Sequence, residues 1–150
     1  MDNFYVGSDH GGYHLKELMK DYLDEMGINY TDIGAFSAEK SVDYPDIARE
    51  VCEKVYENKC MGLLICGTGI GMSIIANRRR GIRAALCLNE TMAEYSKKHN
   101  NANILCMGER IIGSEVAKRI LKTFIETKFE GGRHDRRLEK IEEFGSEDLK

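Results

Sequence analysis

The chain has 150 residues, a formal charge of −3 and 42% hydrophobic content, enough for one domain with a sizeable core. The mild acidity gives no electrostatic reason to expect nucleic acid or an anionic membrane surface as a partner. No apolar run reaches membrane-spanning length, and Met1-Asp2-Asn3 carries no secretory pattern.

Asn3 to Ser8 reads as a first strand, closed by Asp9-His10-Gly11-Gly12. Leu15, Leu18, Met19, Tyr22, Leu23 and Met26 then recur at helical spacing across Tyr13 to Met26, with Gly27 as a natural stop. A short second strand, Ile28 to Ile33, leads into a polar loop from Ser37 to Tyr44. Pro45, the only proline, fits the first turn of a helix carrying Ile47, Ala48, Val51 and Val55. The third strand, Met61 to Ile65, runs into Cys66-Gly67-Thr68-Gly69-Ile70-Gly71, and a helix from about Gly71 to Arg79 follows. Arg78-Arg79-Arg80 reads as a solvated helix end whose cations complement the dipole. Next come a strand from Arg83 to Cys87, a helix near Glu90 to His99, a strand from Ile104 to Met107 and a long helix near Ser114 to Lys128. Gly131 to Arg137 reads as a Gly/Arg-rich loop before a charged helical tail over roughly 138–150.

Strands and helices alternate five times without a linker, repeat or second composition regime. This predicts one α/β domain over residues 1–150, a three-layer α/β/α sandwich around a Rossmann-like five-stranded parallel sheet. The expected strand order is 2-1-3-4-5, which makes strands 1 and 3 neighbours at the switch point. Ligands of such sheets bind beyond the carboxyl ends of the strands there. Asp9 and His10 close strand 1 and Cys66 closes strand 3, so the topology brings these three side chains together.

Cys66 precedes a turn whose N–H groups open a helix, a geometry that binds anions and favours thiolate over thiol. The turn is neither a nucleotide P-loop, which needs a following Lys-Ser/Thr, nor a well-placed dinucleotide fingerprint. In a crevice holding a small phosphorylated compound, Cys66 could take a proton beside a carbonyl. The N–H groups of Gly67, Thr68, Gly69, Ile70 and Gly71 would hold the enediolate oxygens, typically lowering a barrier by several kcal/mol. Thr68 can donate or relay a proton. The plainer reading makes Cys66 a small buried residue before a tight turn. His10 could donate to a ring oxygen or phosphate and Asp9 could orient a hydroxyl, although ordinary turn chemistry explains both. Asp43 and Tyr44 reach the same rim, and helix capping before Pro45 accounts equally well for Asp43.

Cys52, Cys60, Cys87 and Cys106 lie in or beside apolar segments and read as packing thiols. Five cysteines without CxxC or metal-type spacing fit a reducing cytoplasm better than a disulfide framework. His99 ends a helix that starts at the carboxyl edge of the sheet and runs away from it; ten helical residues rise roughly 15 Å. His99 and Asn100 therefore do not easily reach Cys66 of their own chain: either they are structural, or a second subunit supplies them. Arg133, Arg136 and Arg137 cluster and Arg110 follows the last strand, and guanidinium forks suit phosphate oxygens. One copy of GGRHDRR in an acidic chain is a poor RNA-binding tract.

Taken together, the blocks resemble the type B ribose-5-phosphate isomerase family, whose relatives act on allose and galactose 6-phosphates. The resemblance rests on Val6 to Gly12, Ser41 to Asp46, Cys66 to Ser73, Gly81 to Ala85, His99 to Asn103 and Phe129 to His134, nearly the whole chain. Gly11 stands where many members have alanine. The resemblance implies an aldose–ketose isomerase interconverting ribose 5-phosphate and ribulose 5-phosphate through a cis-enediolate, in the non-oxidative pentose phosphate pathway. It implies Cys66 as the base at carbon 2 and His99 of a partner subunit as the ring-opening acid, with Asn100 beside it. Asp9, His10 and the Gly67–Gly71 turn match substrate positions, and Arg110, Arg133 and Arg137 match phosphate or substrate contacts. It further implies a cytoplasmic homodimer with shared active sites, in many members paired into tetramers, with no metal or organic cofactor.

Overall fold

Five strands form one parallel sheet in a computed structural model that describes residues 3–144. The strands are β1 (Phe4–Ser8), β2 (Tyr30–Asp32), β3 (Met61–Cys66), β4 (Ala84–Leu86) and β5 (Ile104–Gly108). The helices are α1 (Tyr13–Glu25), α2 (Tyr44–Asn58), α3 (Ile70–Ala76), α4 (Glu90–Lys98), α5 (Ser114–Glu126) and α6 (Arg133–Glu143), with a short 3-10 turn at His10–Gly12 before α1. The α/β fold with helices on both faces is as expected from the alternation, and Pro45 sits in the first turn of α2.

The order of the last two strands differs from expectation. It is β2-β1-β3-β5-β4, so β5 lies between β3 and β4. Ile104, Leu105, Cys106 and Met107 are all fully buried and gain most from neighbours on both sides. The short strand Ala84-Ala85-Leu86 is only half-buried and takes the edge. The swap reverses the direction of the β4–α4–β5 crossover. Because such crossovers are right-handed, α4 moves to the face that carries α1 and α5. The two cores reflect this. Leu15, Met19 and Leu23 pack with Ala93, Ala117, Ile120 and Phe124 on one face. Ala48, Val51 and Val55 pack with Met72 and Ala76 on the other.

Two helix boundaries also move. α3 stops at Ala76 because the side-chain amide of the next residue, Asn77, turns to β4: it donates to the Ala84 carbonyl at 3.0 Å and accepts from its N–H at 2.8 Å. Arg79 is then no free helix end, since it pairs with Glu53 at 2.7 Å and lies 4.0 Å over the Tyr56 ring. α6 begins at Arg133, within the segment expected to be a loop, because His134, Leu138 and Ile141 share one helical stripe. Of the helical tail expected over 138–150, residues 145–150 lie outside the described residues.

One feature beside the site was not anticipated. Lys16 on α1 is fully buried, and its ammonium is 2.6 Å from Asp32 at the end of β2; Lys20 reaches the same carboxylate at 2.8 Å. Burial alone would raise the Asp32 carboxyl, but hydrogen bonds from Lys16, Lys20 and the Gly34 N–H, with the Lys16 charge, hold it below its ordinary value. A carboxyl lowered on folding contributes stability that is complete above its unfolded value and disappears as pH falls through the folded one. Asp32→Ala leaves the Lys16 charge buried without its main partner. It is expected to cost about 3 kcal/mol or more, read from chemical denaturation at neutral pH. The mutant and the parent should converge in acid.

Candidate active site

At the carboxyl edge, β1 and β3 lie side by side, Ser8 opposite Ile65, so the residues that follow each strand face one another. The connection is direct, since the Asp9 N–H donates to the Ile65 carbonyl at 3.3 Å. The Asp9 carboxylate accepts from the Gly12 N–H at 3.1 Å and so caps the 3-10 turn. Gly12 lies so close to β3 that a Cβ there would stand 2.5 Å from the Ile65 carbonyl oxygen, whereas one on Gly11 would meet the Asp9 carboxylate at 3.3 Å and the Gly67 backbone at an ordinary 3.7 Å. Gly12→Ala is therefore expected to destabilise by about 2–3 kcal/mol, a drop in Tm of roughly 4–12 °C, while Gly11→Ala stays near the parent in a thermal melt.

His10 is oriented by the polar loop. Its Nδ1 accepts from the Val42 N–H at 3.2 Å, which leaves the proton of the neutral ring on Nε2. This bond draws the Ser41–Asp43 segment over the end of β1. Asp43 precedes α2 but makes no side-chain capping bond, so its exposed carboxylate is not spent on the helix. The Tyr44 ring packs against Gly71, where a Cβ would lie 2.7 Å from the ring edge. Asp43 and Tyr44 thus stand at the rim of the Cys66 turn.

Cys66 ends β3, and its sulfur is buried at 6% exposure. The Gly69 N–H donates to Sγ at 3.1 Å. Gly69 has φ +81°, the left-handed conformation that folds the turn back beneath the sulfur. The Ile70 N–H donates to Thr68 Oγ1 at 3.2 Å, and the Thr68 side chain is exposed. Two of the five N–H groups expected to hold an anion are therefore engaged by the turn itself. Those of Gly67, Thr68 and Gly71 remain the candidates. Arg110 belongs to this half of the site: its N–H donates to the Gly67 carbonyl at 2.9 Å, and its side chain lies beside Gly67. Sequence reasoning missed Glu109, whose carboxylate accepts from the Leu15 N–H at 2.7 Å and ties the end of β5 to the start of α1.

Three further cysteines, Cys52, Cys87 and Cys106, are packed in the core. Burial pushes the Cys52 thiol up to about 12 and the Cys87 thiol up to about 11, and drives Cys106 well above the ordinary range. Such groups stay protonated and inert at neutral pH.

The remaining expected residues form a second cluster. His99 caps the C-terminal end of α4, and β5 runs from Ile104 opposite Gly62 to Gly108 opposite Cys66, about 13 Å of strand. His99 thus lies toward the opposite edge from Cys66. There its ring stacks on His134 at 4.3 Å, and both imidazoles face Glu130, at 3.6 and 3.5 Å. Arg133 and Arg137 are exposed on the first turns of α6, the helix that carries His134. Asn100 is exposed beside His99. The expected residues thus fall in two groups on one chain: Asp9, His10, Asp43, Tyr44, the Cys66 turn and Arg110 at one edge, and His99, Asn100, Arg133 and Arg137 at the other.

His99, Glu130 and His134 offer ligand atoms within 4.8 Å of one another, the arrangement among the described residues that could hold a metal ion. Their rings lie 18° from parallel, so a ring must tilt before both nitrogens meet one ion. Among the described residues no helix is long and apolar enough to cross a membrane.

The family model for ribose/galactose isomerase matches residues 4–141. The chain is 41% identical to ribose-5-phosphate isomerase B of Escherichia coli over 94% of this chain and 95% of that one. It superposes on the Clostridium thermocellum ribose-5-phosphate isomerase B with a TM-score of 0.94 at 46% identity, covering 97% of this chain and 99% of that one. The Mycoplasma genitalium ribose-5-phosphate isomerase B, solved with bound ribulose 5-phosphate, aligns with a TM-score of 0.91 at 38% identity over 95% of each chain.

Proposed function

This chain belongs to the ribose/galactose isomerase family, and from that premise we propose that it interconverts ribose 5-phosphate and ribulose 5-phosphate, as an aldose–ketose isomerase of the non-oxidative pentose phosphate pathway. The observation that carries the reading is the Cys66 sulfur at the strand end. It lies against a turn of backbone N–H groups and across the crevice from Asp9 and His10. The active unit is a homodimer that joins one chain's Cys66 half-site to the other chain's His99 half-site. A two-fold axis makes two such sites at once, since each chain carries both halves.

The chemistry follows from these groups. His99 of the second subunit protonates the ring oxygen, opening the furanose, with Asn100 beside it. His10 donates Nε2–H to a substrate oxygen while Asp9 and Asp43 orient hydroxyls, and Tyr44 closes the rim. Cys66 takes the proton from carbon 2. Negative charge then builds on the carbon 1 oxygen, where the N–H groups of Gly67, Thr68 and Gly71 face it. The Thr68 hydroxyl passes a proton between the two oxygens, and Cys66 returns its proton to carbon 1, giving the ketose through a cis-enediolate. Arg110, with Arg133 and Arg137 of the second subunit, holds the phosphate, so that binding at the far end aligns the reacting carbons.

Proton NMR of the full chain with ribose 5-phosphate in heavy water tests this reading. The expected result is ribulose 5-phosphate with deuterium at carbon 1, in a proportion set by exchange of the sulfur-bound proton. Binding without turnover would overturn it in favour of a sugar-phosphate sensor.

A further inference from the structure

A cavity of about 890 Å³ opens at the amino edge of the sheet, where Phe4 and Met61 begin their strands, on the side opposite the Cys66 turn. Its size is that of a small-molecule site. Ile28, Val55 and Ile125 give it an apolar wall. Its charged lining is cationic, Lys59, Arg83 and Lys97, against a single carboxylate on Glu57.

Lys97 is the unusual member. It is 8% exposed, and its ammonium donates only to the Ala102 carbonyl at 3.2 Å and the Met61 sulfur at 3.3 Å, with the Phe124 ring 4.9 Å away. Among the described residues no carboxylate pairs with it. Arg83 stands near enough for its charge to add to the burial that lowers Lys97 below the ordinary lysine range. The same chain answers the same problem at Lys16 with Asp32 at 2.6 Å. A buried cation is costly without a counter-charge, and here the unneutralised charge borders an open cavity. Arg83 lines the opening with Nε donating to the Asn101 carbonyl and Nη1 to Glu142, so its Nη2 is left without a partner in these bonds.

We propose that this cavity binds a small organic anion, its phosphate or carboxylate resting on Lys97 and Arg83 and its body against Ile28, Val55 and Ile125. The site is separate from the one assigned to the sugar phosphate, and its test does not depend on that assignment.

The probes are phenyl phosphate, benzoate and the neutral benzyl alcohol, titrated into the full chain carrying ¹³C-methyl methionine. Met61 reports this cavity because its sulfur touches Lys97, while Met72, in the same core cluster as Cys66, serves as a reference away from it. The expected result is a saturable shift of the Met61 methyl with at least one of the two anions, and binding of the alcohol weaker by about tenfold or more. The tighter anion identifies the head group. Lys97→Met, an apolar chain of similar length, should weaken anion binding by a similar factor while the Met72 methyl keeps its parental shift, the sign of an intact fold. A silent Met61, equal affinity for benzyl alcohol, or unchanged binding in a folded Lys97→Met protein would each overturn the proposal. The alcohol comparison decides the matter if the variant does not fold.

Discussion

Cys66→Ala is expected to lower kcat for ribose 5-phosphate by about 10²–10⁴-fold, the usual worth of a positioned acid–base group, with KM changed only a few-fold. The mutation removes one sulfur from the end of a buried strand, so the fold and the backbone N–H groups of the turn persist. Substrate still meets Arg110 and the Gly67 turn, but no group is left to move the carbon-bound proton. Deuterium uptake from solvent should fall with turnover. Cys52→Ala serves as the control, because that thiol is pushed up to about 12 by burial and has no part in the chemistry. Near-parental turnover of Cys66→Ala in steady-state assays would remove the base from the account.

The second large effect concerns His99. His99→Ala should lose far more activity on the cyclic sugar phosphate than on a four-carbon aldose phosphate, which cannot close a five-membered ring. A histidine acting in ring opening alone has nothing to do for an open-chain substrate, so its loss on that substrate should stay within a few-fold, against roughly 10²-fold or more on the furanose. Equal losses on both would mean that His99 acts in the isomerisation itself or only in folding. The same variant tests the shared site. In a mixed dimer of Cys66→Ala and His99→Ala chains, one of the two sites receives a parental Cys66 half and a parental His99 half. Activity should therefore return toward half the parental value per dimer. Verified mixed dimers with no recovery would place both groups of each site in one chain.

Much of this was legible in the chain before any coordinates. The helical spacing from Leu15 to Leu23, the single proline at Pro45 and the apolar run before Cys66 mark elements whose bounds move by only a few residues. The remoteness of His99 from Cys66 follows from the length of α4 alone, because a helix starting at one edge must end near the other. The order of β4 and β5 was not legible. Both are short apolar segments, and their places depend on how α4 meets α5, a contact between elements that no local pattern encodes. The start of α6 was hidden because Gly131 and Gly132 weaken the helical signal just before His134, the buried residue of that helix. Lys16 was overlooked for a different reason. A lysine at a core position of an amphipathic helix reads as a break in the pattern until its partner, Asp32, is found on β2.

The proposed dimer would let residues far apart in one chain serve one reaction. Gly69 and Ile70 use their N–H groups to shape the turn, which leaves those of Gly67, Thr68 and Gly71, close to Arg110, for the proposed anion. At the other edge Glu130 holds His99 and His134 together on the segment that leads into Arg133 and Arg137. In the proposed dimer the acid and the phosphate ligands would come from one segment, and a two-fold assembly would deliver both at once.

The most direct measurement is a crystal structure of the Cys66→Ala protein with ribose 5-phosphate bound, compared with the parental chain. The account predicts an open-chain sugar with carbon 2 facing the position left by the sulfur, its phosphate near Arg110, and His99 of a second subunit at the ring-oxygen end. A sugar bound elsewhere, or one separated from that position by protein atoms, would contradict it.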